Sequence, residues 1–140
     1  MNREEIQAFL PHRDPMLLID NVEVSPDGVS HGKFRVPEDP FYCRGHFPGN
    51  PIVPGVILCE MMAQTSGALY QEAFRDHLMV YRGINQVRFR HEVRPGDLCE
   101  IDVVLLEHKG SIYLCEGKVS VNGKLCCQGI ITLAATEAAK

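Results

Sequence analysis

A helix that is apolar on every face cannot lie on a surface, and one stretch of this chain has that character. From Val56 to Leu69 the apolar residues Val56, Ile57, Leu58, Met61, Met62, Ala63, Ala68 and Leu69 point in nearly every direction about a helix axis. Such a segment has to be enclosed by the rest of the chain. Pro54 suits its first turn, where a missing N–H costs nothing. Ahead of it, Gly45-His46-Phe47-Pro48-Gly49-Asn50-Pro51 reads as a stiff loop, with prolines fixing φ and glycines opening conformations closed to other residues. One acid, Glu60, falls inside the enclosed helix, and one imidazole, His46, in the loop before it. Gln71, Glu72, Arg75 and Asp76 bring the helix to solvent, and its end is expected between Phe74 and His77.

Strands are what remain to enclose it. A short helix over residues 3–9 is followed by an apolar strand entered near Met16 and continuing through Val24, a turn at Pro26-Asp27-Gly28, and a second strand over Val29 to Val36. After His77 everything reads as strand: Leu78 to Phe89, Leu98 to Leu106, Ile112 to Val121 and Lys124 to Ala134. Arg94-Pro95-Gly96-Asp97, Lys109-Gly110 and Asn122-Gly123 supply the turns, the last being a strong hairpin signal. Cys99, Ile101, Val103 and Leu105 alternate with polar residues. The expectation is an α+β fold over residues 1–140 as one domain, an antiparallel sheet curled around one long helix, with the last four strands a consecutive meander. The open edges of such a sheet favour dimerisation.

Composition narrows the function classes. The chain of 140 residues is 45% hydrophobic and 23% charged, with a net charge of −4 that argues against nucleic acid as the main partner. No apolar run approaches the roughly 20 residues that span a bilayer, and MNREEIQAFLPHRD has no export pattern. The six cysteines form no CxxC pair and several sit on apolar faces, as reduced core thiols of a cytoplasmic protein would.

The chemistry centres on three positions. With Pro54 opening the helix, Gly55 lies in the first turn, where backbone N–H groups have no intrahelical acceptor and the helix dipole favours negative charge. Without a side chain, Gly55 lets a ligand carbonyl come close. Glu60 lies roughly 7–8 Å farther along the axis, where apolar surroundings are expected to raise its pKa. An oxyanion donor, an imidazole base and a carboxylic acid together handle proton abstraction beside a carbonyl and loss of a β-hydroxyl. Each has a plainer reading: His46 as a loop residue, Glu60 as the partner of a core arginine, Gly55 as a backbone requirement. Gln64, one turn after Glu60, is expected to satisfy a buried polar neighbour, and His12, Arg13 and Asp14 suit local capping and pairing as well as service in a site. Spacing alone does not bring His46 and Glu60 together.

The stretch HFPGNPIVPGVILCEMMAQ resembles the signature of the β-hydroxyacyl-ACP dehydratases of fatty acid synthesis (the FabZ type), which are hot-dog folds. LPHRDPMLLID resembles the opening of that family, and VRFR with VRPGD its later strand and turn. The resemblance implies that His46 is the catalytic base and Glu60 the acid, drawn from opposite subunits of a dimer, with the Gly55 N–H on the thioester carbonyl. It implies a substrate carried on the phosphopantetheine arm of acyl carrier protein, no metal and no further cofactor, and a homodimer that in the family often joins into a trimer of dimers. Phe47, Leu58, Met61 and Met62 become candidates for an acyl tunnel, core packing being the plainer reading of each. Arg82, Arg88, Arg90 and Arg94 become candidates for docking an acidic carrier, against a solvated strand face. Asp14 and His91-Glu92 depart from the family pattern and bear on chain length and docking. The rival readings are a hot-dog thioesterase and a non-catalytic acyl-binding subunit.

Overall fold

In the computed structural model, which describes residues 1–137, the chain opens with a one-turn helix α1 (Arg3–Gln7). Asn2 and Glu5 close a reciprocal capping box at its start. Strands β1 (Asn21–Val24) and β2 (Val29–Arg35) follow, then a single helical turn α2 (Phe41–Arg44) that the sequence pattern does not announce. The enclosed helix is α3 (Gly55–Ser66), continued by a 3-10 turn (Gly67–Leu69) and a short helix α4 (Gln71–Asp76). Strands β3 (Leu78–Phe89), β4 (Leu98–Lys109), β5 (Ile112–Val121) and β6 (Lys124–Thr136) complete the described residues.

All six strands join one antiparallel sheet in the order β1-β2-β4-β5-β6-β3. Helix α3 packs against β2, β4, β5 and β6, with Ile57, Leu58, Cys59, Met61, Met62 and Ala63 buried among the inward residues of the strands. The approach is close. A Cβ on Gly117 would stand 2.9 Å from Met62 Sδ and 3.1 Å from its Cβ, so β5 needs glycine where the helix crosses it. All six cysteines are free and buried, as expected of core thiols.

Turn chemistry sets the meander β4-β5-β6. Asn122 and Gly123 both have positive φ, 51° and 78°, which a two-residue hairpin matching strand twist requires. The burial alternation of β4 holds for Cys99, Ile101 and Val103 but fails at Leu105, which is 37% exposed. A register shift between Leu105 and Glu107 redirects the strand there.

Three expectations are corrected. The last four strands are not one meander: β3 pairs with β6 and not with β4. The connection between β3 and β4 is instead tied down elsewhere, with Val53 N donating to Val93 O at 2.7 Å. The segment before β1 is not strand, although Leu17, Leu18 and Ile19 are fully buried. A side chain takes the place of a neighbouring strand, since Leu18 N donates to Gln64 Oε1 at 2.8 Å and Gln64 Nε2 donates to Met16 O at 2.8 Å. The long helix ends within the expected range but is interrupted at Tyr70, whose backbone (φ −147°, ψ 59°) leaves the helical region. Its ring stacks on Tyr113 at 4.3 Å and its hydroxyl meets Ser66 Oγ at 2.6 Å, contacts that draw the chain out of register.

Candidate active site

His46 is positioned by a loop with little freedom. Its N–H donates to Cys43 O at 3.2 Å, and Asn50 N donates to Phe47 O at 2.8 Å. Between them Phe47 has φ 66°, a left-handed conformation rare for a bulky side chain. Strain of that kind persists where surrounding structure over-determines it. Arg94 supplies part of that support, donating from Nη1 to Asn50 Oδ1 at 2.7 Å and to Pro51 O at 3.3 Å. The His46 ring lies 4.2 Å from that of Phe47, and its Nδ1 meets the carbonyl oxygen of Ile52 at 2.8 Å. A carbonyl only accepts, so Nδ1 carries a proton, and in the neutral tautomer this leaves the lone pair on Nε2.

The uncapped end of α3 comes to the same place. Pro54 provides no side-chain cap, and Gly55 at the first helical position has no intrahelical acceptor for its N–H. His46, Gly55, Leu58, Phe89 and Arg90 line one cavity of about 330 Å³. The Phe89 ring covers Gly55 closely enough that a Cβ there would stand 2.7 Å from it.

Glu60 lines a different cavity, of about 280 Å³, with His12, Ala63, Gln64, Phe74, Met79 and Tyr81 among its walls. Three donors converge on its carboxylate. Gln64 Nε2 lies 3.0 Å and His12 Nε2 3.1 Å from Oε2, while Tyr81 donates its hydroxyl to Oε1 at 2.8 Å. His12 Nδ1 is buried with no partner among the described residues, so the ring reaches Glu60 through Nε2 alone. The expected rise in the Glu60 pKa is corrected. Burial does push the carboxyl up, but the hydrogen bonds from His12, Gln64 and Tyr81, with the coulombic attraction of His12, together outweigh it and hold the pKa below its ordinary value. Burial and the Glu60 charge push the Tyr81 hydroxyl upward, so it remains a donor.

The three expected centres are thus divided within one protomer. His46 and Gly55 share a cavity, and Glu60 opens into another that has no lining residue in common with it. Leu58 joins the His46 cavity, and Phe47 is 53% exposed beside it. Met61 and Met62 lie in the core, at 0% and 1% exposure. Arg82, Arg88 and Arg90 are exposed on or just after β3, whereas Arg94 is committed to the His46 loop and to Glu92, 2.6 Å away. Gln64 satisfies a partly buried carboxylate and two backbone groups, as its spacing suggests. Of the two roles the LPHR opening leaves to His12, local capping or service in a site, its contact with Glu60 puts it in the site. Tyr81 had no signal, since nothing local marks one strand residue as the partner of a helix acid.

A family model described as a FabA-like domain matches residues 10–130. The chain is 41% identical over 137 residues to 3-hydroxyacyl-[acyl-carrier-protein] dehydratase FabZ of Streptococcus pyogenes serotype M3, covering 96% of this chain and 98% of that one. The same figures hold for its counterpart from serotype M1. Among solved structures, a chain of the dehydratase heterocomplex ApeI:P from Xenorhabdus doucetiae superposes with a TM-score of 0.80 at 23% identity, over 95% of this chain and 91% of that one. A hypothetical thioesterase from Streptococcus pneumoniae, solved with coenzyme A, superposes at 0.62 and 13% identity, over 86% and 88%. The last two similarities speak to the fold alone, a sheet around a central helix of the hot-dog kind. Similarity along nearly the full length, together with the family match, establishes that the chain belongs to the FabA-like family.

Proposed function

We propose that this protein dehydrates (3R)-3-hydroxyacyl-[acyl-carrier-protein] to trans-2-enoyl-[acyl-carrier-protein] in fatty acid biosynthesis. The observation that carries the mechanism is the free Nε2 of His46 beside the uncapped N-terminus of α3 at Gly55. The thioester carbonyl accepts from the Gly55 N–H, where the helix dipole favours developing negative charge. His46 Nε2 takes the α-proton, the Cα=Cβ bond forms, and the bond from Cβ to the hydroxyl oxygen breaks as Glu60 protonates it. Water and the enoyl thioester leave, and a proton returns from His46 to Glu60 through solvent. Glu60 enters this cycle protonated. A bound acyl chain displaces water from the apolar walls of its cavity and strengthens the desolvation that already pushes the carboxyl upward.

The acid and base come from opposite subunits. Within one chain they open into separate cavities, and β3 lies at the sheet edge with Leu78, Val80, Ile84 and Phe89 exposed along it. A long apolar edge strand is a template for a second copy, and a trimer of dimers extends the same logic. The acyl carrier protein presents the substrate on its phosphopantetheine arm and docks on exposed Arg82, Arg88 and Arg90. No helix among the described residues is long and apolar enough to cross a membrane, which is compatible with work in the cytoplasm.

Absorbance at the enoyl-thioester band tests the reading, with 3-hydroxyacyl and enoyl substrates on carrier protein. Wild type should interconvert them, and His46→Ala and Glu60→Gln should each lose about 10²–10⁴-fold. Absence of interconversion from either direction overturns the proposal. Release of free thiol assigns the chain to thioester hydrolysis instead.

A further inference from the structure

The carboxylate of Glu60 is more fully occupied than a solvent-facing acid would be, and the pattern of occupancy selects one oxygen. An ionised carboxylate offers about four acceptor sites, two on each oxygen. Oε2 has both filled, by His12 Nε2 and Gln64 Nε2. Oε1 accepts from Tyr81 alone among the described residues. One acceptor site therefore stays open, on the oxygen that Tyr81 holds. The Oε2 edge is fixed through Gln64, whose amide is itself tied to Leu18 N and Met16 O. The carboxylate is planar and its oxygens turn together about the Cγ–Cδ bond, so the Tyr81 hydroxyl on Oε1 resists, from the opposite edge, the rotation that His12 and Gln64 resist on Oε2.

We propose that Tyr81 is a positioning residue for the dehydration, fixing Oε1 of Glu60 so that its open site faces the hydroxyl leaving the substrate. This inference rests on the reading of Glu60 as the acid. The placement of Tyr81 supports it: β3 shifts register against β6 between Tyr81 and Gly83, and an extra strand residue of that kind re-aims its neighbours. Although the residue is 40% exposed overall, its hydroxyl reaches across to α3. The groups facing Glu60 are His12 from the segment after α1, Tyr81 from β3, and Cys59 and Gln64 from its own helix; the other walls of the cavity are apolar. Because Tyr81 keeps its proton, it orients the acid without replacing it.

Tyr81→Phe in the full chain, assayed with carrier-linked 3-hydroxyacyl substrate across pH, tests the idea. It should lower kcat about tenfold to a hundredfold, the worth of a hydrogen bond to a charged group, with KM held within about twofold. A rate that requires protonated Glu60 falls off at high pH. Losing a donor to the ionised form raises the Glu60 pKa, so that limb should move to higher pH, a displacement that simple loosening of the fold does not produce. Site-specific 3-fluorotyrosine at position 81 keeps the ring and strengthens the donor, and should move the limb the other way. In a Glu60→Gln background Tyr81→Phe should cost little more. An unmoved limb in both position-81 variants, or an equal fold-loss with and without Glu60, overturns the inference. Turnover by wild type with an unmoved profile removes this inference alone; no turnover by wild type removes the functional reading as well.

Discussion

The ring of Phe89 occupies the space that a side chain on Gly55 would need, its Cε1 and Cζ lying 2.7 Å and 2.8 Å from the position of a Cβ there. The obstructing atoms are the far end of a side chain that is 56% exposed, so the fold can yield where the chemistry cannot. Gly55→Ala should therefore fold with a nearly unchanged Tm while the methyl group and displaced ring crowd the carbonyl site. Obstructing access to the Gly55 N–H should cost up to the about 10²–10³ in kcat that an oxyanion donor is worth, and steady-state kinetics beside thermal melts would separate the two effects.

Gly117→Ala should behave in the opposite way. Its Cβ would press on the Cβ, Cγ and Sδ of Met62, a side chain 1% exposed, and the innermost of those atoms cannot swing aside. Overpacking of a close-packed core costs about 1–3 kcal/mol. Denaturant titration should show a lower midpoint with an unchanged slope.

Glu60 links the site to acid stability. Its folded pKa lies below the ordinary value of 4.5, so the native state binds a proton less readily than the unfolded chain. The stability it contributes is fully present above that ordinary value and is lost as pH falls through the folded pKa. Glu60→Gln should flatten this part of the curve, bringing wild type and variant closer below about pH 4 than at pH 7. Equilibrium unfolding at a series of pH values checks it.

Two arginines six residues apart along the chain should fail differently. Arg88 is exposed on β3, and Arg88→Glu should raise KM for carrier-linked substrate by about tenfold at low ionic strength, with the penalty shrinking as salt is added. Arg94→Ala removes the donors to Asn50 and Pro51 that brace the His46 loop. That variant should lose kcat with little salt dependence, and with short thioesters that lack a carrier as much as with carrier-linked ones.

The parts of this fold that depend on local chemistry were legible in the chain. The Asn122-Gly123 hairpin, the Arg94–Asp97 turn and the bounds of β5 follow from turn residues and alternation, and the enclosure of α3 from its lack of a polar face, except at Val56 in its first turn, which is 70% exposed. Pairings decided at a distance were not. No residue in β3 announces that its neighbour is β6, and Leu17 to Ile19 looks like strand because burial is written in the sequence while the Gln64 amide that replaces a strand partner is not. The same limit governs the site. His46, Gly55 and Glu60 stand out by residue type and motif, but the direction of the Glu60 pKa shift does not, because two of the three donors, His12 and Tyr81, come from segments 48 and 21 residues away.

Strand β3 carries Tyr81 near one end and Phe89 at the other, so this single edge forms a wall of both cavities. When two such edges pair antiparallel about a two-fold axis, the Tyr81 end of each copy faces the Phe89 end of its mate. Each protomer then offers two half-sites, an acid half and a base half, and one association event completes both pairs together. In the proposed dimer, catalytic competence is a property of the encounter between chains, and on dilution below its dissociation constant the two centres should be extinguished together.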